Sequence, residues 1–109
     1  MPLKIDLHVH TCYSDDGITT PKQLIAYSKK QDLDGVAITD HNTVQGALKL
    51  AKNKEITIIP GIEVSTLQGH VLALNVTESI PPNLSMLETI EKIHELGGIA
   101  VAAHPAVIL

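Results

Sequence analysis

The sequence predicts an α/β fold in which a largely parallel sheet of about five strands packs with three helices. The first observation is an alternation of short apolar runs, typical of strands, with longer segments that carry apolar residues at helical spacing. Such alternation is typical of βαβ units and parallel sheets. The second observation is the run GVAITD at residues 35–40, whose apolar start predicts a strand buried on both faces.

The first helix carries the clearest boundary signals. KIDLHVH, residues 4–10, predicts the strand that precedes it. A helix is then predicted over residues 19–31. Thr20 can cap this helix, Pro21 suits its first turn, and Gln23 completes a capping box.

A second helix is predicted over residues 42–53, after the strand GVAITD. Its expected buried face consists of apolar residues at helical spacing, namely Val44, Ala47, Leu48 and Ala51. The next strand, ITIIPGIEVS, is expected to be interrupted by its Pro-Gly pair.

The second half of the chain predicts two further strands and a helix between them. HVLALNV predicts a strand, joined to the preceding one by a turn around Gln68 and Gly69. SMLETIEKIHELGG predicts a helix with a capping box from Ser85 to Glu88 and a glycine pair at its end. IAVAAHP predicts the last strand.

The composition favours one small globular domain and excludes several functions. The chain has 109 residues, of which 44% are hydrophobic and 18% charged. With two Tyr, no Phe, no Trp and a net charge of −4, it predicts neither a base-stacking platform nor a basic nucleic-acid surface. A single cysteine, no signal peptide and no apolar run of bilayer length predict a cytoplasmic protein without a membrane partner.

Histidines and carboxylates fall at the ends of the predicted strands. The candidates are His8, His10, Asp40, His41, Glu63, His70 and His104. Side chains alternate along a strand, so His8 and His10 share one face. His70 joins the group if its strand runs antiparallel to the preceding one. We expect the whole set at one rim of the sheet, where α/β proteins place their sites, and His94 apart from it in the third helix.

Imidazoles and carboxylates grouped in this way suit Zn²⁺, Mn²⁺ or Fe²⁺. The candidates are too many for one tetrahedral ion, and a carboxylate such as Glu63 can bridge two ions. Such ions lower the pKa of a bound water toward about 7 and hold phosphoryl oxygens. The residues therefore predict a site for more than one divalent ion and favour phosphate chemistry.

Four stretches of the sequence resemble the PHP (polymerase and histidinol phosphatase) family of metal-dependent phosphoesterases. They are DLHVHTCYSDDG, AITDHNT, PGIEVSTLQGHVLAL and GGIAVAAHP, in the order that the family has. The resemblance implies a distorted (β/α)7 barrel with two or three metal ions at its strand ends.

The resemblance also implies which residues hold the first two ions. His8 and His10 would bind one ion and share Glu63 with a second. His70 and His104 would complete the second ion, which would generate the nucleophile.

A third ion is implied by the same resemblance. His41 would bind it together with an aspartate of SDDG, for which Asp16, directly before Gly17, is favoured over Asp15. Asp40 would orient its neighbour and help to position a proton donor.

The sequence departs from the family pattern after His104. The family has a further aspartate–x–histidine motif there, and about five of the seven barrel strands are accounted for. We expect residues 1–109 to be one PHP-type domain that lacks the C-terminal part of the barrel. It would be either a piece of a longer protein or a short relative that pairs with another copy through its open sheet edge.

The function implied is hydrolysis of a phosphate ester by a water activated between metal ions. Histidinol phosphate, a nucleoside phosphate and a short nucleic-acid end are the candidate substrates. The alternative is a non-catalytic, metal-stabilised module. A third interpretation is metal-dependent amide or deamination chemistry on a related barrel.

Overall fold

The computed structural model describes residues 3–14, 17 and 19–103. These residues form five strands and three helices: β1 Ile5–Val9, α1 Pro21–Lys30, β2 Gly35–Ile38, α2 Gln45–Leu50, β3 Thr57–Thr66, β4 Gly69–Leu74, α3 Met86–Glu95 and β5 Ile99–Ala102. The strands form a half-barrel sheet in the order β1-β2-β3-β4-β5, which confirms the predicted α/β class. The predicted site residues Asp15, Asp16 and His104 lie outside the described residues.

The sheet is mixed, and the prediction of a largely parallel sheet is wrong for its second half. β1, β2 and β3 are parallel, whereas β4 is antiparallel to both β3 and β5. Leu67 and Gln68 alone join β3 to β4, and so short a connection requires an antiparallel return. β5 consequently runs in the direction of β1 and β2, so the C-terminal ends of these three strands lie at one rim.

The Pro-Gly pair changes the partner of β3 without interrupting the strand. Pro60 is in register with Ile38 of β2, and Gly61 is in register with Leu74 of β4. A Cβ atom at Gly61 would lie 2.5 Å from the carbonyl oxygen of Ala73, which only glycine avoids. The predicted interruption is therefore wrong, and the pair instead marks where the parallel ladder ends and the antiparallel ladder begins.

The boundary signals of α1 and α3 are found largely as predicted. Thr20 Oγ1 accepts a hydrogen bond from the Gln23 backbone N–H at 3.2 Å, and Gln23 Oε1 accepts one from the Thr20 N–H at 2.9 Å. Ser85 caps α3 through the N–H of Glu88 at 3.1 Å, but the Glu88 carboxylate accepts from the Ser85 hydroxyl rather than from backbone. Gly97, with a φ of 79°, follows the end of α3.

Helix α2 is shorter than predicted, and of the four residues expected on its inward face only Val44 and Ala47 are buried. It has six residues, and its buried positions are Gly46, Ala47 and Leu50. Leu48, expected to be buried, is 45% exposed, and Ala51 is exposed as well. The helix begins at Gln45 rather than near residue 42. The face that contacts the sheet carries the small residues Gly46 and Ala47, which allow close packing.

Two of the three groups of apolar side chains that the described residues form pack helices against the sheet. One packs α1 and α2 against β2 and includes Leu24, Ile38 and Leu50. The other packs α3 against β3 and β4 and includes Ile62 and Ile93. All four residues of β2 are buried, as predicted. Within the described part of the chain, the helices are too short and too polar for any of them to cross a bilayer.

Candidate metal centre

A buried carboxylate, Glu63, lies at the centre of a ring of imidazoles. Its side chain has no exposed surface. Glu63 Oε1 lies 2.5 Å from His8 Nε2 and 2.7 Å from His10 Nε2, while Oε2 lies 2.8 Å from His70 Nδ1. His41 Nε2 is 3.9 Å from Oε1. The structure thus brings together five of the residues that the sequence singled out.

The fold places each of these side chains through simple strand geometry. His8 lies in β1 and His10 just after it, on the same face. His70 lies in β4 opposite Ser65, two residues from Glu63, so both side chains point to one face of the hairpin. The predicted antiparallel pairing of these two strands is confirmed.

His41 reaches the group because the chain after β2 continues alongside β3. An isolated parallel bridge joins His41 to Glu63. The Glu63 N–H donates to the Asp40 carbonyl at 2.9 Å, and the Asn42 N–H donates to the Glu63 carbonyl at 3.0 Å. These backbone hydrogen bonds therefore fix the position of His41 along β3 relative to the Glu63 carboxylate.

The imidazoles form a continuous row. Ring centroids are separated by 5.0 Å between His8 and His10, by 4.4 Å between His10 and His41, and by 5.4 Å between His41 and His70. Their side chains are between 21% and 35% exposed, whereas Glu63 is fully buried. The carboxylate thus lies at the base of a site whose outer side is open to solvent.

The pKa of Glu63 results from opposing effects. Burial alone raises it, because the charged form loses hydration. Hydrogen bonds from His8, His10 and His70 outweigh this effect and lower the pKa from 4.5 to about 2. Glu63 is therefore ionised at neutral pH, and an ionised carboxylate is the form that binds a metal ion.

Two overlapping groups of side chains could each hold a metal ion. One consists of His8, His10 and Glu63, and the other of His41, Glu63 and His70, with ligand atoms within 4.8 Å of one another in each group. Nitrogen and carboxylate ligands suit the divalent ions predicted from the sequence. Glu63 is common to both groups, as the resemblance implied, but His41 lies with the Glu63 and His70 pair rather than apart from it.

Asp40 lies outside both groups. Its Oδ1 accepts a hydrogen bond from the Thr11 backbone N–H, and its Oδ2 accepts one from the Thr11 hydroxyl at 2.6 Å. Both residues are fully buried. The structure thus places the carboxylate of Asp40 against Thr11, and the expected part of Asp40 in orienting its neighbour and positioning a proton donor stays a prediction.

Sequence reasoning missed three residues that support this arrangement. Thr11 and Ser14 are buried polar residues, and the Ser14 hydroxyl accepts from the His41 N–H at 3.0 Å. Gly46 packs against Thr11 and Asp40 from α2. A glycine inside a predicted helix was the one available signal, since it often marks a close approach. His94 lies exposed on α3, and neither group includes it.

The fold and the site define a class of protein, an α/β half-barrel with a candidate polynuclear metal centre at its strand ends. A family model for the PHP domain matches residues 6–102. The chain belongs to the PHP domain family, as its motifs indicated.

Known relatives extend beyond the region that this chain covers. It is 40% identical to the uncharacterized protein MJ1587 of Methanocaldococcus jannaschii, over 94% of this chain and 68% of the relative. It is 31% identical to a 5'-3' exoribonuclease of Haemophilus influenzae, over 93% of this chain and 39% of the relative.

A solved structure supports the same fold. A protein from Bifidobacterium adolescentis, assigned as a metal-dependent phosphoesterase, is 33% identical and superposes with a TM-score of 0.57 over 66% of this chain and 27% of its own. The exoribonuclease and the phosphoesterase are both hydrolases of phosphate esters by name, and this chain covers 39% and 27% of their lengths.

Proposed function

We propose that the chain carries the metal centre of a phosphoesterase, which hydrolyses a phosphate ester with a water activated between two or three divalent ions. The observation that supports this proposal best is the sharing of one buried carboxylate, Glu63, by two groups of imidazoles. A structural metal site is normally closed by four protein ligands, whereas this arrangement is open on one side.

In this proposal His8, His10 and Glu63 hold one ion, and Glu63, His70 and His41 hold another. His104 and Asp16 remain predicted ligands. When bound, divalent ions supply Lewis acidity toward the phosphoryl oxygens and a water that is acidic enough to lose its proton near neutral pH.

The side chains of the proposed centre set its charge and leave it open to substrate. Glu63 places one negative charge between both groups, and its pKa of about 2 keeps that charge at working pH. The imidazoles add no charge when neutral, so a loaded site would be positive and would attract a phosphate dianion. Their partial exposure leaves the outer side free for substrate.

A groove beside the centre supports a small phosphorylated substrate. It has a volume of about 540 Å³ and is lined by His8 and His10, by the polar side chains of Asp6, Gln23 and Tyr27, and by apolar residues of β1, α1 and β2. These carboxylate, amide and phenol groups suit a leaving group that carries hydroxyl or amine functions. Histidinol phosphate, a nucleoside phosphate and a short nucleic-acid end all fit this description, and the exoribonuclease relative favours the last.

Metal stoichiometry and turnover test the proposal together. The chain is stripped with a chelator and reloaded with Mn²⁺, Zn²⁺ or Fe²⁺. Bound metal is then counted, and hydrolysis of p-nitrophenyl phosphate and bis-p-nitrophenyl phosphate is measured. We expect two or more ions per chain and turnover of at least one substrate.

Variants make the test specific. Glu63→Ala and His8→Ala should abolish turnover, and His94→Ala, on the exposed side of α3, should not. One tightly held ion without turnover would instead support the non-catalytic module. Equal loss of activity in all three variants would contradict the ligand assignment.

A further inference from the structure

We propose that Thr11 is a positioning residue, which together with Gly46 and the carboxylate of Asp40 holds three ligand-bearing segments at the spacing that metal binding requires. The inference rests on the proposed metal centre but not on its substrate. It assigns a role to Thr11 and Gly46, which carry no metal-binding atom in either ligand group.

The side chain of Asp40 fixes the segment that carries His10. Both of its oxygens accept hydrogen bonds from one residue, Thr11, through the backbone N–H and through the hydroxyl at 2.6 Å. Thr11 directly follows His10, and both Thr11 and Asp40 have no exposed surface. Two hydrogen bonds from one residue to one carboxylate restrict rotation as well as distance, so the backbone that follows His10 is held in one orientation.

The backbone of Asp40 fixes the other two segments. Its carbonyl accepts the Glu63 N–H at 2.9 Å, which sets the height of the shared carboxylate. The next residue is His41, whose N–H donates to Ser14 Oγ at 3.0 Å. One residue thus connects the chain at His10, at His41 and at Glu63, where the rings of His10 and His41 are 4.4 Å apart.

Gly46 leaves the space that this arrangement needs. A Cβ atom built on Gly46 would lie 2.5 Å from Thr11 Oγ1 and still closer to Asp40 Oδ2. Gly46 lies inside α2 and does not have a positive φ, so its backbone conformation does not require glycine. The reason for glycine here is the close approach of the helix to the Thr11–Asp40 pair.

A merely structural role for the pair predicts a different result from a positioning role. Loss of a buried hydrogen bond destabilises a protein wherever it lies, whereas displacement of ligands weakens metal binding in particular. Thr89 supplies the matched control, because it is also fully buried and its hydroxyl donates to the Ser85 carbonyl in α3, away from the metal centre.

The experiment compares Thr11→Val, Thr11→Ser and Thr89→Val in the full chain. Co²⁺ affinity is measured by competition with a chelating dye, the Co²⁺ absorption spectrum is recorded, and thermal unfolding is followed without metal. We expect Thr11→Val to weaken Co²⁺ binding by about 10- to 100-fold, as loss of partners that orient metal ligands does. Thr11→Ser should retain wild-type affinity and spectrum, and Thr89→Val should lower only the unfolding temperature.

Gly46→Ala gives a second, independent measurement. It should weaken Co²⁺ binding in the same direction as Thr11→Val, because the added methyl group displaces the pair. If Thr11→Val and Gly46→Ala bind Co²⁺ as the wild type does, the positioning role is wrong, whatever the turnover. If the wild type binds Co²⁺ and the variants bind it weakly but no phosphate ester is hydrolysed, the proposed function fails and the positioning role stands. No Co²⁺ binding by the wild type would overturn both.

Discussion

The two halves of the sheet position the candidate metal ligands in different ways. In the parallel half, His8, His10 and His41 come from the ends of β1 and β2 or from the residues after them. In the antiparallel half, Glu63 and His70 lie within the ladder of one hairpin. Backbone hydrogen bonds set the position of the second pair, whereas His10 and His41 also depend on side-chain hydrogen bonds made beyond the strands by Asp40 and Ser14. Side-chain substitutions should therefore perturb the parallel half more easily.

The largest effect should come from Glu63, where the two halves meet. Glu63→Gln keeps the size of the side chain and removes the charge that both ligand groups share. Bound metal should fall below one ion per chain, and hydrolysis should fall to background. The measurement is metal counting after gel filtration, and retention of two ions by this variant would refute the bridging role.

Single histidine variants should separate the halves. His8→Ala should remove one ion and leave the site formed by His41, Glu63 and His70, while His70→Ala should do the reverse. Calorimetric titration with metal should then give one binding event fewer in each variant than in the wild type. His94→Ala is the control, and we expect its isotherm to match the wild type.

Gly61→Ala should disturb the hairpin half through its backbone. The new methyl group would lie 2.5 Å from the Ala73 carbonyl oxygen, so the β3–β4 ladder must shift. We expect a loss of about 1–3 kcal/mol in the free energy of unfolding, a typical cost of overpacking. Urea titration measures this loss, and an unchanged midpoint would mean that the hairpin adapts at little cost.

The last prediction concerns the acid stability of the metal-free chain. Because the pKa of Glu63 is lowered from 4.5 to about 2, its ionised form stabilises the fold fully above pH 4.5. That contribution is lost as the pH falls through about 2. Urea unfolding between pH 6 and pH 2 should therefore show a steeper decline for the wild type than for Glu63→Gln, and parallel curves would contradict the cause assigned to the pKa.

The sequence predicted the elements and the ligand types because both depend on local patterns. Alternation in β1 places His8 and His10 on one face whatever the rest of the fold does. Capping at Thr20 is equally local. These features were found where the pattern put them.

The features that the sequence did not reveal depend on contacts between distant segments. The change of partner at Pro60 requires β2 and β4 to lie on opposite sides of β3. The buried face of α2 is set by its approach to Thr11 and Asp40, so Leu48 points outward although its spacing suggested burial. The orientation of the Asp40 carboxylate is likewise decided by Thr11, a residue 29 positions away.

The continuity of β3 through Pro60 and Gly61 has a mechanical consequence. A single ten-residue strand belongs to both ladders, so neither can slide along it without disrupting the other. A displacement of the hairpin should therefore also displace β2, and the sheet should unfold in one cooperative step rather than from one side. An ion bound at either end of the histidine row would then raise the free energy of unfolding of the whole sheet.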